Sequence, residues 1–176
     1  MGRIRPGAKS PQKPLIPCDL RRSMRARSHP AHRGLHRRLA GYLFNHTWFL
    51  LDKKRRSREE NDEMLHAAHA SRYHWGLVGR PLNVSIGEWQ ISRVYSVLGR
   101  SEPAIYHGRR ALEIAQRNGL ARFYVAYAYE ALARAYSVAG KPHERDKYLR
   151  LARRTGTRIR DADDRRMLDE DLQTIR

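Results

Sequence analysis

The chain has 176 residues and a formal net charge of +18, from 36 Lys and Arg against 18 Asp and Glu. That length suits one domain with a tail and leaves room for a real hydrophobic core. A single cysteine, Cys18, excludes an internal disulfide framework and a Cys-rich zinc site, and the longest apolar stretch, residues 39–51, falls well short of the ~20 residues that span a bilayer.

The charge is unevenly placed. Residues 1–60 hold 16 Lys and Arg against 4 Asp and Glu, a net of +12, whereas residues 61–176 hold 20 against 14, a net of +6. Five of the eight prolines fall in the first thirty positions, and the first aromatic residue is Tyr42. Such a segment cannot bury enough apolar surface to offset its ordering entropy. Residues 1–34 are therefore expected to form a disordered basic tail, and residues 35–176 the folded domain. The tail can be read as a basic arm for nucleic acid or an acidic surface, as a targeting segment, or as a stretch without a folded role whose translation starts near Met24. The run PLIPCDL is too short and proline-broken for a secretory core. The composition points to a soluble, cytoplasmic protein that does not enter a membrane.

From Leu35 onward the apolar residues recur at three and four, the helical period, and short breaks separate the segments. A first helix is predicted over 36–52, ending at the run Lys53-Lys54-Arg55-Arg56. Ser57 and Glu60 form a capping box that opens a second helix over 58–77, which stops at Gly79 before Pro81. Ser85 and Glu88 form a second such box, opening a third helix over 85–98 that ends at Gly99. Ser101 is expected to cap a fourth over 102–117, ended by Asn118 and Gly119. A fifth covers 121–139, a sixth begins at Pro142 and runs to 156, and Asp161 and Asp164 start a seventh over 162–174. Connections of this length favour antiparallel neighbours.

The third and fifth helices share a pattern. Ile91, Ser92, Tyr95, Gly99 and Arg100 recur as Leu132, Ala133, Tyr136, Gly140 and Lys141, at a constant spacing of 41 positions. The first unit continues with Ala104, Gly108 and Ala111, small residues where a partner helix crosses closely. The second has Ala152, but Arg145 where a small residue is expected. This resembles the tetratricopeptide repeat in a longer variety, over residues 86–156. The resemblance implies an all-α superhelix of antiparallel helix hairpins, with about seven helices in all and the last a polar cap. An ordinary helical bundle is the alternative.

The same resemblance implies a groove lined by side chains of the first helix of each unit. Its offsets place Ile86, Trp89, Arg93, Ser96 and Val97 there, with Tyr127, Glu130, Arg134, Ser137 and Val138 one repeat later. Arg93 and Arg134 are equivalent, and two guanidiniums in one groove suit a carboxylate. The competing reading leaves these arginines solvated or pairs them with Glu88 and Glu130. The expected partner is a protein or peptide, including another copy of the chain.

Two other sites are weaker. Lys53, Lys54, Arg55, Arg56 and Arg58, together with the tail, offer salt-sensitive attraction to nucleic acid, but stacking aromatics interleaved with that charge are missing from the sequence pattern. His66 and His69 share a face of the second helix, and Glu63-x-x-His66 has the form used in di-iron bundles. No second copy accompanies it, so no metal or other cofactor is expected. No nucleophile elbow, Walker loop or dinucleotide fingerprint is present, and nothing supports an enzyme.

Overall fold

The structure is a computed structural model that describes residues 30–176, with side chains from His32 onward. Cys18 and most of the expected tail lie outside the described residues. Among those described there are seven helices and no strand: α1 (Pro30–Leu51), α2 (Arg58–Val78), α3 (Pro81–Val97), α4 (Ser101–Arg117), α5 (Arg122–Val138), α6 (Pro142–Gly156) and α7 (Ala162–Gln173). None is long and apolar enough to cross a membrane.

Three helix starts differ from expectation. α1 begins at Pro30, so residues 30–34 belong to the fold rather than to the tail. Proline tolerates the first helical turn because its ring fixes φ and its missing N–H has no partner there anyway. α3 begins at Pro81 for the same reason, and Asn83 Oδ1 accepts the Arg80 N–H at 3.0 Å. Ser85 is therefore one turn inside α3, not at its cap, and its hydroxyl donates to the Ala111 carbonyl across the α3–α4 contact at 3.0 Å. Ser101 likewise stands inside α4, and no side chain caps that helix. The Ser57 box is present: Glu60 N–H donates to Ser57 Oγ at 3.2 Å, and Ser57 N–H to Glu60 Oε2 at 2.8 Å.

The turns form as the glycines require. Gly99, Gly119 and Gly140 have φ of +71°, +58° and +64°, the left-handed region that a Cβ disfavours. Each is followed by an amide that reaches back into the last helical turn, as Arg100 N does to Tyr95 O at 2.9 Å and Lys141 N to Tyr136 O at 3.0 Å. These Schellman-type closures satisfy carbonyls that would otherwise lack donors.

Successive helices pack as antiparallel hairpins. Ser71 Oγ donates to Ala40 O and Ser92 Oγ to Ala104 O, both at 2.8 Å, joining α1 to α2 and α3 to α4. Small residues allow that approach: Ala104, Ala111 and Ala152 are fully buried. A Cβ on Gly108 would lie 3.1 Å from Leu132 of α5. The core includes Leu50, Ile91 and Leu132, one from each of α1, α3 and α5 at intervals of 41 positions, all at most 2% exposed. These three helices share an inner face, on which the candidate site lies.

Candidate functional site

Glu130 is the centre of that face. It is a carboxylate with no solvent exposure, and such a group persists in a core only when donors surround it. Three side chains supply them. Arg93 of α3 donates from 2.9 Å, Arg134 one turn along α5 donates its Nε from 2.8 Å, and the Trp89 indole N–H from 3.2 Å. The two equivalent arginines do converge, as their shared register requires. Glu88 plays no part here; it pairs with Arg72 at 2.9 Å and with His107 at 2.6 Å.

The second carboxylate at the arginines comes from α7. Asp171 accepts Arg93 at 3.2 Å and the Tyr127 hydroxyl at 3.1 Å. Its backbone carbonyl accepts Arg134 at 3.1 Å, and Thr174 Oγ1 accepts the same guanidinium nitrogen at 2.8 Å. The Ser137 hydroxyl donates to the Arg176 carbonyl. Burial, then the neighbouring Asp171 charge, pushes the Tyr127 phenol far above its ordinary range, so it remains a donor.

On one side of this network lies an apolar pocket of about 230 Å³, walled by Trp48, Ile86, Trp89, Phe123, Tyr127 and Met167 and bordered by Asp171. Its rings pack in series. Trp48 lies 5.6 Å from Trp89, Trp89 meets Tyr127 edge-on at 5.4 Å, and Phe123 is 4.7 Å from Tyr127. On the other side, Ser96, Val97, Arg134, Ser137 and Val138 line a second hollow with residues 174–176. Ser96 is 6% exposed, and its hydroxyl has no hydrogen-bond partner among the described residues.

The ten side chains expected along the groove therefore lie on one face, with Glu130 buried beneath it. Sequence reasoning missed Trp48, Phe123, Met167, Asp171 and Thr174. Trp48 carried a usable signal, since Trp48, Trp89 and Glu130 follow one another at 41 positions. Asp171 carried none.

The remaining candidates separate. Arg56 turns back to cap α1, donating to Leu50 O, Leu51 O and Lys53 O at 3.0–3.1 Å, and Lys53 pairs with Glu60. Lys54, Arg55 and Arg58 are exposed. On α1, Tyr42, His46 and Phe49 stack at 6.0 and 6.1 Å, with Lys53 Nζ 5.3 Å from the Phe49 centroid. Helical spacing hid this ladder, because its members are three and four apart in sequence.

His66 is exposed, whereas His69 shares a hydrogen bond with the Tyr95 hydroxyl at 3.0 Å and meets the His107 ring at 5.4 Å. Burial pushes the Glu88 carboxyl up, but the His107 hydrogen bond and the Arg72 charge outweigh it and leave it below the ordinary range. Among the described residues no group of three His, Cys, Asp or Glu is arranged to hold a metal ion.

Compared with family models, with curated proteins and with solved structures, the chain matches none of them.

Proposed function

We propose that the chain is a cytoplasmic protein-interaction module of the tetratricopeptide type, binding a segment of a partner protein along the face of α1, α3 and α5, without catalysis. The observation that carries this reading is the aromatic-walled pocket of about 230 Å³ set directly against the Arg93–Glu130–Arg134 network. A preformed apolar socket beside fixed polar groups suits an apolar anchor side chain, with the polar groups fixing its orientation. The 41-residue recurrence of Leu50, Ile91 and Leu132 in the core supports the repeat part of the reading.

A peptide display library selected against the full chain tests it. Selected peptides are expected to bind Phe123→Ala at least about tenfold more weakly than the parent, the loss of one anchor contact. Thermal melting of the variant confirms that it remains folded. A selection that yields no binder, or binders indifferent to Phe123→Ala, removes the reading.

The exposed ring ladder on α1 favours one second reading, a single-stranded nucleic-acid surface using Tyr42 and Phe49 for stacking and Lys54, Arg55 and Arg58 for phosphate. Base stacking on an aromatic side chain is worth about 1–3 kcal/mol. A Tyr42→Ala/Phe49→Ala variant is thus expected to bind an oligonucleotide at least about tenfold more weakly at constant salt. Equal binding by parent and variant leaves only non-specific charge attraction, and the reading fails.

A further inference from the structure

The groove between α3 and α5 carries an imbalance of charge that its own walls do not cancel. Arg93 and Arg134 are 18% and 14% exposed, and the walls offer them one carboxylate, the buried Glu130. One positive charge is left over, and a carboxylate is the group that answers it. Asp171 provides it from a position 78 residues away in sequence. Thr174 and Arg176 extend the same occupation along α5, through Arg134 and Ser137.

The segment that makes these contacts is anchored unevenly. Leu168 and Leu172 are buried in a core cluster with Ala126, Tyr127, Ala152 and Ile159. Beyond Leu172, Gln173, Thr174 and Arg176 are exposed, and Ile175 alone packs part-buried against that cluster. Segments with few buried apolar contacts are the first to open locally. Below them the Ser96 hydroxyl is buried in the groove wall without a partner among the described residues.

We infer that the Asp171 side chain and residues 173–176 are a built-in occupant of the groove, and that the partner is an acidic segment which places a carboxylate against Arg93 and turns these groups away while Leu168 and Leu172 stay in the core. This rests on the groove being the partner site. A cis occupant lowers the apparent affinity for a partner by the fraction of molecules in which the groove is open. Weakening the occupant raises that affinity by the same factor.

The test uses a fluorescein-labelled synthetic peptide of residues 162–176, titrated by anisotropy into the full chain. The parent is compared with an Asp171→Asn/Thr174→Ala variant, whose folding is checked by its melting curve. The peptide is expected to bind the variant at least about tenfold more tightly than the parent. A second peptide with Asn in place of Asp171 is expected to lose at least about tenfold on either chain, a comparison that leaves the protein unaltered. Equal affinity for both chains, no binding to either, or no preference for the Asp peptide overturns the inference. Where library peptides dependent on Phe123 persist alongside such a result, the groove reading stands and only the built-in occupant is lost. Where neither kind of peptide binds, both are lost.

Discussion

Single side chains set how the fold responds to acid. Burial, then the adjacent His107, holds the His69 imidazole below its ordinary range, and burial, then His36, does the same for His74. A base with a lowered folded pKa takes up protons more readily when unfolded. The stability it lends is therefore complete above its unfolded value of about 6.5 and is lost as pH falls through the folded value. The melting temperature is expected to fall between about pH 7.5 and about pH 5.5, and His69→Gln to flatten part of that slope. An unchanged slope in His69→Gln assigns the effect to other groups. Glu88 acts lower on the scale. Its folded pKa is depressed, so its contribution holds above the unfolded carboxylate value and disappears only as pH falls below that.

At the level of elements, turns and starts were unequally legible. Gly99 and Gly140 announced the hairpin turns because a left-handed residue at a helix end favours glycine, which has no Cβ to strain there. A Cβ at either position meets nothing within 4 Å, so the strain of a substitution is in the backbone alone. Gly99→Ala and Gly140→Ala are each expected to cost about 1 kcal/mol in urea unfolding, and the Asn variants less, since Asn visits this region more readily. A loss of several kcal/mol in either Ala variant would point to a packing role that the geometry does not show. Helix starts were harder. A serine one turn inside a helix and a serine at its cap look alike in sequence, and at Ser85 the hydroxyl goes to the neighbouring helix instead. Pro81 marks the true start, because proline fits the first turn and little else of a helix.

The whole molecule brings together what no local pattern could. The register of Arg93 and Arg134 followed from a repeat, so their convergence was legible. The return of α7 to the same groove was not, since nothing in a polar twelve-residue helix says which surface its two buried leucines will choose. The pocket was half legible for a related reason: Trp89 and Tyr127 stand at positions the 41-residue pattern marked between 86 and 156, whereas Trp48 and Phe123 reach it from outside the positions so marked. Long-range docking is decided by summed apolar burial rather than by any one motif. The stacked indoles carry one further consequence. Trp48 and Trp89, 5.6 Å apart and tilted by 39°, couple their electronic transitions strongly. The third tryptophan, Trp75, is not among the pocket's walls. A ligand that parts the pair is therefore expected to change the ultraviolet circular dichroism of the coupled indoles, an unlabelled optical gauge of the groove.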